Sequence, residues 1–309
     1  MPDFKIFTGS AHLEFSKQVA KQLDVELAKA EVSRFSDGEI SIRLCESVRG
    51  KDVFVIQPTC EPTNDNLMEL LIMTDALKRS SANCINVIMP YFGYARQDRK
   101  AAPRVPISAK LVADLLQIAG ITRIITMDLH AGQIQGFFDI PVDNLYGSIV
   151  FKEYIQSKCF INAIVASPDI GGIARARYFA KLLGLDIAII DKRREKANES
   201  EVMNVIGNVE GKNVILIDDM IDTAGTMVKA ANAFKEKGAL NVIALGTHAV
   251  LSGPAYDRIE NSKLDEVIVT DTIPLKRECP KIKTLSVAPL FAEVIRRINN
   301  NESVNSLFL

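Results

Sequence analysis

Residues 214–226 read VILIDDMIDTAGT, and they narrow the possible fold more than any other stretch of the chain. Apolar Val214, Ile215, Leu216 and Ile217 predict a buried parallel strand. Two carboxylates, Asp218 and Asp219, follow at its C-terminal end, and a short loop of Asp222, Thr223, Ala224, Gly225 and Thr226 then opens a helix through residue 237. Ligands of open α/β sheets bind outside the carboxyl ends of the strands. A helix N-terminus there offers unpaired N–H groups and partial positive charge, which suit a phosphate. Carboxylates beside a phosphate alone would repel it. They suit a phosphorylated ligand that also carries vicinal hydroxyls, as a ribose does, or one that arrives with Mg²⁺. A helix cap would need one carboxylate, and three stand here.

The chain has 309 residues, and at ~150 residues per domain that length predicts two domains. A net charge of -1 argues against broad binding to nucleic acid or to anionic membranes. The opening residues MPDFKIFTGS lack the basic start and long apolar core of a secretory signal, and no run approaches the ~20 apolar residues of a membrane span. Cys45, Cys60, Cys84, Cys159 and Cys279 form no C-x-x-C pair, so reduced thiols are expected rather than disulfides or zinc. These features together predict a soluble cytoplasmic enzyme.

Apolar runs alternate with amphipathic stretches, the rhythm of an α/β fold with mainly parallel strands. Strands are expected at 5–8, 28–34, 52–57, 85–89 and 123–127, then at 163–167, 187–191, 213–217, 242–246 and 266–270. Helices are expected at 13–23, 64–80, 107–118, 148–157, 172–183, 226–237 and 289–300. Residues 121–133 and 212–226 share one pattern, an apolar strand ending in Asp before a Gly-containing loop. That match predicts two copies of one fold, residues 1–147 and 148–309, joined near Tyr146 and Gly147.

Three further segments carry chemistry. In VASPDIGGIARAR, a strand ends at Pro168 and Asp169, and Gly171 and Gly172 then let backbone amides approach an anion. Asp169 is placed to hold a metal, so this is a second phosphate-type loop, suited to pyrophosphate. Lys192, Arg193 and Arg194 leave a strand for a strongly polar loop, where cations can be delivered to a transferring phosphoryl group. In the first half, FSDGE contains Asp37, Gly38 and Glu39, and YFGYARQDR interleaves aromatics with Arg96, Gln97 and Arg99. Such a mixture can stack on a base and neutralise phosphates. His130, two residues after Asp128, is a metal or nucleotide-phosphate candidate, whereas His12 and His248 are read as structural. The chain contains no G-x-x-x-x-G-K-[ST] loop, so any ATP is not held in P-loop fashion.

In this order, the segments FSDGE, YFGYARQDRK, RVPISAK, DLHAGQIQGFF, SPDIGG, DKRR and DDMIDTAGT closely resemble the class I ribose-phosphate pyrophosphokinases over essentially the whole chain. The resemblance implies two tandem type I phosphoribosyltransferase-like domains, the first for nucleotide and regulatory contacts and the second for ribose 5-phosphate and the catalytic loop. It implies transfer of the pyrophosphoryl group of Mg-ATP to the C1 hydroxyl of ribose 5-phosphate, with AMP as the other product. Asp37, Gly38, Glu39, Arg96 and Gln97 would hold ATP, and His130 and Asp169 would ligate Mg²⁺. Asp218, with Asp222, Thr223, Ala224, Gly225 and Thr226, would bind ribose 5-phosphate with help from Arg194. Lys192 and Arg194 would act on the transferring group. The resemblance further implies a homo-oligomer, commonly a hexamer, activated by phosphate and inhibited by ADP through Ser47, Arg49, Ser81 and Arg104. Near the C-terminus, Asn305 stands where animal members carry Ser.

Two rival readings accompany this one. A phosphoribosyltransferase needs a single domain of this fold and a base-recognition hood, and has no use for the first-half nucleotide segments. A non-catalytic regulatory relative of the synthetase would have lost or interrupted its loop residues, yet Lys192, Arg194 and the 218–226 segment are intact.

Overall fold

The computed structural model describes residues 4–158, 160–193 and 202–307. The chain forms two compact units. The first comprises Met1–Tyr146, Thr272–Pro274 and Val287–Leu309, and the second Gly147–Asp271 and Leu275–Ser286.

In the first unit, β1 (Phe4–Thr8), α1 (Leu13–Gln22), β2 (Ala30–Arg34), β3 (Ile40–Leu44), β4 (Asp52–Ile56) and α2 (Thr63–Arg79) come first. They are followed by β5 (Cys84–Met89), α3 (Ser108–Ala119), β6 (Arg123–Met127) and β7 (Val142–Leu145). Strands β1, β4, β5, β6 and β7 make a parallel sheet in that order, and β2 and β3 pair as a separate antiparallel hairpin. β3 alternates Ile-Ser-Ile-Arg-Leu, a half-buried strand that the search for apolar runs passes over.

The second unit contains α4 (Ser148–Ser157), β8 (Ala163–Ser167), α5 (Ile173–Leu183), β9 (Ile187–Arg193), β10 (Val202–Ile206) and β11 (Asn213–Ile221). It continues with α6 (Gly225–Glu236), β12 (Asn241–Ala249), α7 (Ala255–Glu260), β13 (Glu266–Thr270) and β14 (Ile282–Leu285). The sheet order is β10-β9-β8-β11-β12-β13-β14, parallel except where β10 runs against β9. Alternation along β11 sends Val214 and Leu216 to one face, where α6 packs Met227, Ala230 and Phe234 on them. It sends Ile215 and Ile217 to the other, against Phe151 of α4 and Phe179 of α5. Both faces are therefore covered, the condition under which a parallel strand reads as an unbroken apolar run.

The last helix, α8 (Ala288–Asn299), belongs to the first unit rather than to the C-terminal half in which sequence order places it. Its buried Phe291 meets Phe15 of α1 edge-on at 5.7 Å between ring centroids, and Ile295 is buried beside it. The internal repeat is also in a different register from the one the local pattern predicts. Both units run β-α-β-β-β-α-β-α-β-β, from β1 to β7 and from β8 to β14. In that order β11 corresponds to β4 and β6 to β13, so residues 121–133 are not the counterpart of 212–226. An apolar strand ending in Asp is too common a local pattern to fix equivalence.

Candidate active site

From β8 the second-unit chain moves to one side through β9 and β10, then returns to the other side of β8 as β11 and continues outward. The strand order thus reverses between β8 and β11, which is where an open α/β sheet presents its ligand crevice. β11 pairs with β8 only as far as Leu216, while its pairing with β12 continues to Ile221. Asp218 and Asp219 therefore lie on the strand itself, along an edge that β8 has already left.

Two loops border this crevice. After β8, Asp169 Oδ1 accepts the Gly172 amide at 3.0 Å, and Ser167 Oγ donates to the Asp169 carbonyl at 2.6 Å. A Cβ on Gly172 would stand 2.8 Å from Ser167 Oγ, 3.7 Å from Asp169 Oδ1 and 3.9 Å from Asp218 Oδ1, so only glycine fits where the two loops meet. After β11, Ala224 takes a left-handed conformation at φ +59° and caps α6 with no side-chain hydrogen bond, which leaves the first amides of that helix without a side-chain cap. Ser252 donates to Asp222 Oδ1, and Arg258 donates to the Thr223 carbonyl at 3.0 Å. These bonds hold the loop from outside.

The carboxylates are held by Arg175 of α5. Its Nη1 donates to Asp218 Oδ1 at 2.6 Å, and its Nη2 stands 3.1 Å from Asp219 Oδ1. Asp219 is almost wholly enclosed, with 3% side-chain exposure, whereas Asp218 keeps 22%. Burial, reinforced by the neighbouring Asp219 charge, pushes the Asp218 carboxyl up to about 7 against the opposing pull of Arg175.

The first unit has a different polar site. A cavity of about 520 Å³ is lined by Asn64, Asp65, Tyr91, Tyr94, Arg96 and Gln97, among others. Gln97 is fixed by Ser108, whose hydroxyl donates to its Oε1 at 2.6 Å. Asp37, Gly38 and Glu39 form the tip of the β2–β3 hairpin, closed by the Phe35 amide on the Glu39 carbonyl at 2.8 Å. Arg34 connects tip and cavity, with one nitrogen 3.3 Å from the Gly38 carbonyl and another 3.2 Å from Asp65. His130 is exposed on the loop after β6, and Gln133 of the same loop donates to Asp98 at 2.9 Å, next to Gln97. The five predicted nucleotide residues thus share one face of the unit.

At the position that the repeat order makes equivalent to the Asp169–Gly172 loop, the first unit carries its own anion. The Ser10 amide and hydroxyl donate to Glu69 at 2.5 and 2.7 Å, and Gln57 Nε2 donates to Glu69 Oε1 at 3.0 Å. Glu69 is buried, so this loop is closed by a side chain that takes its donors.

Residues 4–120 match the N-terminal domain of ribose phosphate pyrophosphokinase, and residues 193–309 match the phosphoribosyl synthetase-associated domain. Ribose-phosphate pyrophosphokinase of Wolinella succinogenes is 73% identical over 309 residues, covering 100% of both chains. That of Campylobacter jejuni is 72% identical with the same full coverage, and that of Chromobacterium violaceum 59% identical over 98% of this chain and 94% of its own. The chain belongs to the ribose-phosphate pyrophosphokinase family. The crystal structure of phosphoribosylpyrophosphate synthetase from Mycobacterium smegmatis, 46% identical, superposes with a TM-score of 0.92 over 97% of this chain and 99% of that one.

Against the ribose-phosphate pyrophosphokinase pattern, the second unit gathers Asp169, Asp218, Asp222, Thr223, Ala224, Gly225 and Thr226 at one crevice. Lys192 is not on a loop after a strand: β9 runs to Arg193, with Lys192 opposite Met203 of β10, because the hairpin partner extends the ladder. Arg194 lies outside the described residues. In the first unit Arg49 donates to Ser81 Oγ at 3.2 Å, with Ser47 exposed two residues earlier. Arg104 stands on a separate loop at φ +63°. Sequence reasoning missed Arg175, Ser252 and Arg258. Nothing in GIARAR tells which arginine turns toward carboxylates 43 residues away.

Proposed function

We propose that the chain transfers the β,γ-pyrophosphoryl group of Mg-ATP to the C1 hydroxyl of ribose 5-phosphate, yielding 5-phospho-α-D-ribose 1-diphosphate and AMP. The observation that carries this reading is the switch-point crevice, where an acidic pair stands beside a helix N-terminus without a side-chain cap. The 5-phosphate suits the amides of Gly225 and Thr226 with the Thr223 and Thr226 hydroxyls, while Asp218 suits the vicinal ribose hydroxyls. The loop from Asp169 to Gly172 suits the pyrophosphate, and the first-unit cavity with Asp37, Gly38, Glu39, Arg96 and Gln97 suits ATP.

In the reaction the C1 oxygen bonds to the β-phosphorus in line while its hydroxyl proton passes to solvent, and the bond from that phosphorus to the α–β bridging oxygen breaks, releasing AMP. The protein's part is positioning and charge stabilisation. Lys192 and Arg194 are assigned to the negative charge on the transferring group. Among the described residues no three His, Cys, Asp or Glu side chains cluster as a metal cage. Mg²⁺ takes one or two protein ligands alongside substrate phosphates and keeps several waters. Asp169 in the second unit and His130 in the first are each proposed as a Mg²⁺ ligand. When bound, the ion would neutralise phosphate charge and orient the phosphate chain.

We further infer a homo-oligomer, commonly a hexamer in this family, regulated by phosphate and ADP through Ser47, Arg49, Ser81 and Arg104. In support, α3 presents Leu111, Leu115 and Ile118 at 59%, 38% and 75% exposure, an apolar stripe suited to a second copy. No helix among the described residues is long and apolar enough to cross a membrane. A cytoplasmic site of action is part of the same proposal. AMP release from ATP and ribose 5-phosphate, without any purine or pyrimidine acceptor, tests the reaction. A requirement for a base acceptor would establish a phosphoribosyltransferase instead.

A further inference from the structure

We propose that Arg175 is the positioning residue of the ribose site, bridging the enclosed Asp219 to the accessible Asp218 so that Asp218 faces the sugar hydroxyls as a fixed acceptor. The inference rests on the assignment of Asp218 to ribose 5-phosphate made above.

The geometry has a direction. Asp219 is enclosed and cannot reach a ligand in the crevice, yet it takes one terminal nitrogen of Arg175 at 3.1 Å. The other terminal nitrogen reaches Asp218 at 2.6 Å. A guanidinium is a planar fork, so fixing one tine on an enclosed anchor sets where the other tine ends. Of the two carboxylates on the guanidinium, the member with access to the crevice is Asp218. Vicinal hydroxyls donate to a carboxylate; a protonated carboxyl would present its own O–H instead.

The charged groups against Asp218 are Asp219 on its own strand and Arg175 on α5, with Asp169 approaching the same point beside Gly172 from the loop after β8. The guanidinium opposes the rise that burial and the Asp219 charge impose on the Asp218 carboxyl, so without it that carboxyl holds its proton to still higher pH. Arg175 therefore acts on sugar affinity through Asp218 rather than by touching the sugar.

The test uses the full-length enzyme with Arg175→Met and Arg175→Lys, measuring AMP release while each substrate is varied across about pH 6–9. Arg175→Met should raise KM for ribose 5-phosphate about tenfold or more while KM for ATP stays within about twofold. The acid limb of kcat/KM for the sugar should move to higher pH. Arg175→Lys keeps the charge but loses the fork, so its acid limb should stay in place with a smaller rise in KM. Equal effects on both substrates, or an unmoved acid limb in Arg175→Met, would make Arg175 a structural ion-pair partner and overturn the proposal. If Arg175→Met does not fold, Arg175→Lys decides: wild-type KM for the sugar overturns it. Asp218→Ala run in parallel separates the two readings. A selective loss of sugar affinity in Asp218→Ala with none in Arg175→Met sinks only the Arg175 inference, whereas a non-selective Asp218→Ala removes the sugar assignment beneath it.

Discussion

Gly172 and Ser167 stand so close that a Cβ on the glycine would lie 2.8 Å from the serine Oγ. Ser167 is fully buried and its hydroxyl is committed to the Asp169 carbonyl, so it has little room to turn away. Gly172→Ala should therefore displace the loop that carries Asp169. Overpacking of this kind costs ~1–3 kcal/mol of stability. Activity should fall further than that loss explains, because the displaced loop borders the crevice. A variant with wild-type kinetics and unchanged melting would mean that the loop yields freely and does not position the pyrophosphate.

Asp218 links the site to pH in two opposite ways. Its carboxyl is pushed up to about 7 in the fold, above the ordinary range of an unfolded carboxylate near ~4. Between those values the folded state binds the extra proton, so its stability declines as pH rises from about 4 to about 7 and levels off above. Sugar affinity should rise over the upper part of the same window as the acceptor ionises. Asp218→Asn removes the titration, so its urea midpoint should lose that downward slope. An unchanged slope would place the titration on another group.

The segment that revealed the site also shows where sequence reasoning stops. The apolar run of β11 ends at Ile217, and the sequence pattern predicts a strand that ends with it. The run marks only where both faces are covered; the strand continues to Ile221 because β12 still supplies ladder partners. The Asp169 and Asp218–Thr226 segments were legible because each is local, a strand end followed by its own loop. Arg175, Ser252 and Arg258 act across tens of residues, and neither periodicity nor spacing records which partner each side chain meets. The placement of α8 on α1 is not written in local sequence for the same reason, since an amphipathic helix does not state which unit buries its apolar face.

Gly9 meets a stricter limit than Gly172. A Cβ there would stand 2.3 Å from Gln57 Oε1 and 2.6 Å from Glu69 Oε1, inside a buried network that also holds Ser10. Neither side chain can retreat without leaving a buried donor or acceptor unpaired. Gly9→Ala should therefore cost about 3 kcal/mol or more, readable in chemical denaturation. A cost below about 1 kcal/mol would show the network to be loose.

Arg49 is tied to Ser81, and Ser47 is exposed beside it. Arg49→Ala should leave kcat under saturating substrates within about twofold, since a surface change away from packed features moves energies by only ~0.5 kcal/mol. Its activation by phosphate and inhibition by ADP should be blunted, because an arginine is a strong anion partner. Titrating both effectors against wild type and variant checks this. A wild-type enzyme that ignores phosphate would end the regulatory reading altogether.

Lys192→Ala should cut kcat severely while leaving both KM values nearly unchanged. The backbone of Lys192 sits near the end of β9, and the polar segment that follows carries Arg194 and lies outside the described residues. A cation assigned to the transferring group meets its full charge only in the transition state, where it changes rate rather than ground-state binding. A cation supplied to a phosphoryl transition state is worth ~10³–10⁵ in rate, or about 4–7 kcal/mol. A solvated surface lysine is worth no more than ~0.5 kcal/mol. Those magnitudes differ by orders of magnitude, so one steady-state measurement separates them. A variant that keeps more than about a tenth of wild-type kcat would remove Lys192 from the catalytic machinery.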